Sequence, residues 1–243
     1  TELGYFTGYE NTYFMPGEKI RTNEVIKVIM SMIGYKELCE AKGGYPLGYL
    51  SVADSLGISK GILGEFITKE QLYLMLYKAA LEPIYYAASI KNDSLVFNSD
   101  KDVTILSRYH DIYYITGIVN AVEQLYLDSS KPVKSGDVKI DGKVLKSNLI
   151  STDMYEYFGM TVKAFYYETD ADSAAAVMVI PYGDKNKVFE LSAESVNSVK
   201  NTGGVYTFSY YSDEENINGE VEIPRGCIVI KNGESVTNDL YNE

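Results

Sequence analysis

Apolar residues recur at intervals of about 3.6 positions near the start of the chain, a period that predicts amphipathic helices. Between residues 19 and 35 they follow this spacing up to Gly34, and glycine is a common helix stop. Thr22 or Asn23 can cap the start, because their side-chain oxygens accept hydrogen bonds from the free amides of the first turn. The sequence therefore predicts a first helix over most of this segment.

Two further helices are predicted in the same part of the chain. A glycine and proline break at residues 43–46 is followed by helical spacing from Tyr49 to Leu56. Thr68 then caps a third helix, which stops before Pro83. Because the third helix is the most hydrophobic, we expect it to be the most buried of the three.

Residues 84–103 mix the apolar run 85–88 with the polar runs 91–94 and 98–102, which predicts a connector. After it the period changes to two, which predicts strands. Asp141-Gly142 separates the alternating runs 136–140 and 143–145, a strong hairpin signal. A short helix is predicted over residues 153–158. Further strand patterns lie at residues 115–127, 161–167, 174–182, 188–191, 205–211, 220–223 and 227–230.

These patterns predict an α+β protein with more than one domain. Residues 1–88 are expected to form an all-α module, and residues 89–108 a connector. Residues 109–243 are expected to form an antiparallel β domain, either a small barrel or a sandwich, built as one or two small subdomains.

Charge and hydropathy narrow the class of partner. The chain has 22 basic and 34 acidic side chains, a net charge of -12. Such a field repels phosphate backbones, so nucleic acid is not an expected partner. No run approaches the ~18 consecutive apolar residues of a membrane-spanning helix, so no transmembrane segment is expected.

The residue types used in catalysis are sparse. The single histidine, His110, is interpreted as structural, because on a strand it and Asp111 would point to opposite faces and could not act as base and orienting acid. Cys39 and Cys227 are 188 positions apart. We expect two free thiols, with a long-range disulfide as the alternative.

No cofactor is expected. The acidic segments 170–173 and 212–216 offer oxygen ligands for Ca²⁺, but neither has the twelve-residue loop with its closing Glu. We interpret both as solvated turns. Four Tyr-Tyr pairs, at residues 85–86, 113–114, 166–167 and 210–211, would place one ring on each face of a strand. They favour amphipathic packing, with a carbohydrate or protein contact surface as the functional alternative.

The first third of the chain contains two helix-entry units about 47 residues apart. The first holds Gly8, Tyr9, Phe14 and Pro16, followed by Ile20 and Glu24; residues 42–61 and 67–71 look like parts of a second copy. In this order and spacing, residues 4–82 resemble the S-layer homology (SLH) family of bacterial cell-surface modules. Residues 104–243 are more loosely similar to regions that follow such modules in some clostridial surface proteins.

The resemblance implies an all-α module that holds a protein to the cell wall by binding an anionic wall polysaccharide. A helix N-terminus with an adjacent basic side chain is suited to a sugar carboxylate. The residues that the resemblance assigns to glycan binding are Arg21, Glu24 and Lys69 at the helix entries, and Tyr9 and Asn11 in the preceding turn.

The leading hypothesis is therefore a non-enzymatic anchoring or structural protein of the bacterial cell envelope, with wall polysaccharide as its partner. The alternative is a self-assembling subunit of an extracellular fibre, tube or layer, whose partners are copies of itself. An enzyme of unknown class is a third hypothesis. The start at Thr1 without a signal-peptide pattern leads us to expect either a mature secreted chain or a piece of a longer one. The composition, with 23 tyrosines and no tryptophan, favours a cell-surface protein.

Overall fold

The computed structural model describes residues 17–62, 64–91, 94–127, 132–170, 173–212, 217–224, 227, 229–231 and 234–236. The chain divides into two compact units, Thr1–Ile112 and Tyr113–Glu243. No helix in the part of the chain that the structure describes is both long and apolar enough to cross a membrane.

The first unit contains helices and one β-hairpin. Its described elements are α1 (Thr22–Met32), α2 (Lys36–Ala41), α3 (Leu47–Ser55), α4 (Lys69–Leu81), β1 (Pro83–Lys91), β2 (Ser94–Thr104) and α5 (Ile105–His110). The core of this unit is formed mainly by α1 and α3, with Ile26, Met30 and Tyr49 among its fully buried side chains. Met75 and Ala79 of α4 close it.

The prediction of an all-α N-terminal module is wrong, because the first unit also contains the β1–β2 hairpin. Over all described residues there is more strand than helix. The polar connector expected over residues 84–103 is instead the β1–β2 hairpin, which packs on the end of α1. The Tyr85 amide donates to the Ile33 carbonyl at 2.9 Å, and the Tyr85 ring stacks between Tyr35 and Phe97. Both strands contain aromatic and β-branched residues that favour strands, among them Ile84, Tyr85 and Phe97, but the polar runs beside them led to the interpretation as a connector.

The predicted cap is confirmed for α4, whereas the N-cap of α1 lies one or two residues earlier than predicted. Thr68 caps α4 as predicted: its Oγ1 accepts from the Gln71 amide at 3.2 Å, and Gln71 Oε1 accepts from the Thr68 amide at 3.0 Å. The N-cap of α1 is Arg21 rather than the predicted Thr22 or Asn23. The expectation that α4 is the most buried helix is wrong, because only Met75 and Ala79 are buried along it.

The second unit begins with a closed five-stranded barrel in the order β3-β4-β5-β7-β6. Its strands are β3 (Tyr113–Ala121), β4 (Asp137–Ile140), β5 (Lys143–Lys146), β6 (Thr161–Asp170) and β7 (Ser173–Pro181). Val119, Ile140 and Leu145 are fully buried inside it. The predicted Asp141-Gly142 hairpin is confirmed, since both turn residues have the positive φ that such a turn requires. All pairings are antiparallel except β5 with β7.

A separate three-stranded sheet has the order β10-β9-β8. It is built from β8 (Val196–Thr202), β9 (Val205–Ser212) and β10 (Ile217–Ile223), and β11 (Val229–Lys231) pairs with β12 (Glu234–Val236). The antiparallel strands expected in this half are therefore present. The strand predicted over residues 188–191 is wrong: the segment pairs with no described strand, and Val188 and Phe189 are 65% and 57% exposed.

Candidate functional site

The entries of α1 and α4 lie next to each other. Arg21 forms an isolated β-bridge with Phe66. The Thr22 amide donates to the Glu65 carbonyl at 2.8 Å, and Thr22 Oγ1 donates to the Gly64 carbonyl at 2.8 Å. The structure thus brings Arg21 close to the segment that leads into Lys69, although 48 positions separate the two residues in the sequence.

A pocket of about 460 Å³ opens at the start of α1, and we call it the α1 pocket. This volume lies within the roughly 300–1,000 Å³ of small-molecule sites. Its lining combines polar and apolar side chains and includes Arg21, Thr22, Asn23, Ile26, Leu50, Asp54, Ser59, Ile62, Gly64 and Glu65. Such a mixture suits a sugar, whose hydroxyls need hydrogen-bond partners while its C–H groups need apolar contact.

The charge of Arg21 is already engaged. Its guanidinium pairs with Glu65 Oε1 at 2.8 Å and lies over the Phe66 ring at 5.8 Å. The Arg21 and Glu65 side chains are 56% and 61% exposed, so the pair is worth only about 0–1 kcal/mol. Asp54, also in the lining, forms no ion pair with a described residue. The charged groups of the α1 pocket therefore sum to one negative charge.

Two of the first three amides of α1, those of Thr22 and Glu24, are also engaged. Besides the Thr22 amide, the Glu24 amide donates to the Arg21 carbonyl at 3.1 Å. The Glu24 carboxylate accepts from the Arg21 amide at 2.9 Å, so this side chain caps its own helix. A sugar carboxylate would have to displace these bonds to reach the Thr22 and Glu24 amides, which weakens the physical case for an anion site at this helix end.

Asn23 and Tyr45 form a second polar group beside the pocket. Burial raises the pKa of the Tyr45 hydroxyl, as does the Glu24 carboxylate, while Arg21 and a side-chain hydrogen bond with Asn23 lower it. Asn23 Oδ1 is buried without a hydrogen-bond partner among the described residues. Asn23 is therefore held by packing at the pocket wall with its amide only partly satisfied.

The remaining assigned residues are placed as follows. Lys69 is the first residue of α4, is exposed and makes no ion pair with any residue that the structure describes. Tyr9 and Asn11 lie outside the described residues. Sequence reasoning missed Asp54 and Glu65, since each is an ordinary surface acid until the fold brings it beside Arg21.

The other residues considered for catalysis or metal binding do not form a shared site among the described residues. His110 ends α5 and Asp111 is its left-handed C-cap, so the expected strand placement of His110 is wrong. Cys39 and Cys227 are free, as predicted. Parts of both acidic segments considered for Ca²⁺ lie outside the described residues. The described residues contain no group of three or more His, Cys, Asp or Glu side chains that could hold a metal ion.

No family model matches the chain, and neither a curated protein nor a solved structure matches it. The likeness to S-layer homology modules therefore rests on residues 4–82 of the sequence alone.

Proposed function

We propose that this protein is a non-enzymatic component of the bacterial cell envelope that acts outside the cell and holds wall glycan in the α1 pocket. The observation that carries the proposal is the position of this pocket: it opens at Arg21, the start of the helix that the sequence likeness assigns to glycan binding. Its volume and mixed lining support a sugar ligand.

The charge balance favours a neutral glycan over an acidic one. Glu65 neutralises Arg21, Asp54 adds a negative charge, and the Thr22 and Glu24 amides of α1 donate to the Glu65 and Arg21 carbonyls. Carboxylate and carbonyl oxygens can instead accept bonds from sugar hydroxyls, while Leu50 and Ile62 offer apolar contact. The proposed ligand is a neutral, polyhydroxylated stretch of wall polysaccharide.

The test is titration calorimetry of the full chain with purified wall-polysaccharide fragments, neutral and carboxylated. We expect the neutral fragments to bind. Asp54→Ala should weaken binding roughly tenfold or more, because a hydrogen bond to a charged group is worth about 1.5–3 kcal/mol. Asp184→Ala changes an equally exposed aspartate of the second unit and should have no effect. Equal binding by Asp54→Ala and the parent chain would reject the pocket.

Retention on immobilised polysaccharide provides an independent readout. The double substitution Arg21→Ala with Lys69→Ala removes one pocket-lining side chain and the exposed cation at the α4 entry. We expect lower retention than for the parent chain. No retention of the parent, or retention unchanged by the double substitution, would remove the glycan proposal.

A second candidate function is a self-assembling subunit of an extracellular fibre, tube or layer. The observation that favours it is the outer face of α4, where Tyr73, Leu74, Leu76 and Tyr77 are between 40% and 66% exposed. Contiguous apolar surface of this kind commonly marks an interface. Electron microscopy of the purified chain, with and without Ca²⁺, should show ordered assemblies if this candidate holds and small particles if the protein is a simple anchor.

A further inference from the structure

The three-stranded sheet has one apolar and one polar face. Val199, Phe208 and Val221 form a cross-strand row on the apolar face. Lys200, Thr207 and Glu222 form the adjacent row, which lies on the polar face because side chains alternate along a strand. Phe208 at the centre is 8% exposed. The rows run across all three strands and end at both edges.

Both edges of this sheet lack a partner among the described residues, since β8 and β10 each pair only with β9. The β8–β9 turn has two residues, so its closing pair Thr202–Val205 is hydrogen-bonded and the bonded pairs alternate from there. The backbone groups of Val199 and Asn201 consequently point away from β9. This open run of donors and acceptors is short, because a β-bulge lies between Val196 and Ser198. Such a run is a template for another strand.

The β10 edge is protected against pairing with its own copy. By the same alternation, Glu220 and Glu222 have outward-pointing backbone groups, and both side chains are exposed on the polar face. If β10 pairs antiparallel with β10 of a second copy, the register can be centred on Glu220, Val221 or Glu222. In each of these three registers a glutamate lies opposite a glutamate of the other copy. Like charges directly opposite each other destabilise a strand pair.

Pairing of β8 with the β10 edge of another copy is disfavoured in both directions. An antiparallel pairing would turn the apolar face of every second copy to the opposite side of the sheet, so the apolar rows would not continue. Because β8 and β10 run in the same direction, a parallel pairing would repeat the sheet by translation every three strands, or roughly 14 Å at ~4.8 Å per strand. A folded unit as long as residues 113–243 has a radius of gyration of roughly 14 Å and is therefore much wider than this repeat. Neighbouring copies would overlap.

We infer that β8 is the site at which two copies of this chain join, antiparallel and about a two-fold axis through Val199. In this register Lys200 lies opposite Ser198 of the second copy, so no like charges meet. A register shifted by one residue on each chain would place Lys200 directly opposite Lys200 of the second copy, and the repulsion between these like charges disfavours it. The row of Val199, Phe208 and Val221 then continues across the axis into its copy, forming one six-stranded sheet.

The side chain of residue 198 gives a test in which the sign of the charge decides the outcome. Ser198 is exposed, so substitutions there leave the protomer folded. Ser198→Glu places a carboxylate opposite Lys200 twice in the dimer and should tighten the dissociation constant roughly two- to tenfold; Ser198→Lys should weaken it by a similar factor. Sedimentation velocity of the full chain over a concentration series measures both. Asn218→Glu and Asn218→Lys on β10 are the matched controls and should leave dimerisation unchanged.

Amide hydrogen exchange locates the contact directly. The Val199 and Asn201 amides should become protected as protein concentration rises, while those of Glu220 and Glu222 continue to exchange. A chain that stays monomeric at its highest soluble concentration overturns the inference, as do Ser198→Glu and Ser198→Lys acting in the same direction. Dimerisation through β8 does not depend on the α1 pocket, so glycan binding and dimer formation can fail separately.

Discussion

The carboxylate of Asp141 lies against the α-carbon of Gly117. A Cβ atom on residue 117 would sit 2.5 Å from Asp141 Oδ2. Asp141 Oδ1 accepts from the Ile118 amide at 3.2 Å, and the Asp141 amide donates to the Ile118 carbonyl at 3.1 Å. The β4–β5 turn is therefore fastened to β3 beyond the last β-ladder pair, which helps to close the barrel.

Gly117→Ala should consequently destabilise the protein by about 1–3 kcal/mol, because the added methyl group overpacks against the Asp141 side chain. Denaturant unfolding measures the change. In Gly117→Ala combined with Asp141→Gly the clash is absent, so the double variant should lose less stability than the sum of the single variants. Additive losses would show that the two residues do not interact.

Gly34→Ala should be more disruptive than the same change at another left-handed glycine. Gly34 and Gly61 have φ values of 86° and 83°, but only Gly34 has a neighbour, the Tyr85 carbonyl oxygen, in the space of a Cβ atom. We expect a loss of about 2–5 kcal/mol for Gly34→Ala. Gly61→Ala should cost only the roughly 1–2 kcal/mol of the backbone conformation. Equal losses in thermal or denaturant unfolding would contradict a close packing of the hairpin on α1.

Loss of the Thr68 cap should reduce the stability of the protein by less than Gly34→Ala does. Thr68→Ala removes the hydroxyl that accepts from the Gln71 amide and should cost about 0.5–2 kcal/mol of stability. Thr68→Ser keeps the acceptor and should stay close to the parent in the same unfolding measurement. A Ser variant as unstable as the Ala variant would indicate that the methyl group, not the cap, matters.

Stability should fall at alkaline pH. Burial, followed by the charges of Glu82 and Tyr85, raises the pKa of Tyr35 from 10.0 to about 12. Below pH 10 the phenol is protonated in both states, whereas between about pH 10 and 12 only the unfolded state loses the proton. Ionisation therefore favours unfolding in this window. The free energy of unfolding, measured from pH 8 to 11, should decline less steeply for Tyr35→Phe than for the parent. An identical slope would contradict the assignment.

The two thiols should react at very different rates. Cys227 is exposed, whereas Cys39 is fully buried, and burial raises its pKa to about 11. Because the thiolate is the reactive form, a thiol-specific chromogenic disulfide should label Cys227 in the native chain and Cys39 only after unfolding. Cys227→Ser should then abolish native labelling. Rapid labelling of both thiols in the native parent would show that the core around Cys39 opens readily.

The sequence alone pointed to some of the residues in and around the α1 pocket. The likeness of the helix-entry units drew attention to Arg21, Glu24 and Lys69, and the structure places Arg21 in the lining. The sequence did not indicate that Glu65 would neutralise Arg21 or that Glu24 would cap its own helix. The Arg21–Glu65 pair joins segments far apart in the chain, so spacing carries no information about it. The Glu24 cap is local and has the three-residue spacing of a capping box, but the sequence pattern placed the N-cap at Thr22 or Asn23 instead of Arg21.

The sequence by itself determined the features that depend on near neighbours. The Thr68 cap and the Asp141-Gly142 turn are each specified within four residues, because cap and turn geometry needs only local side chains and backbone. Alternating patterns also predicted most strands of the second unit, including β6 and β7. Tertiary structure decided how the strands pair, which faces are covered and which charges meet. The β1–β2 hairpin contacts the helices through the Tyr85 ring, which stacks on Tyr35, and only Met75 and Ala79 are buried along α4. Burial and pairing are properties of the assembled chain, so residues far apart in sequence had to meet before either was defined.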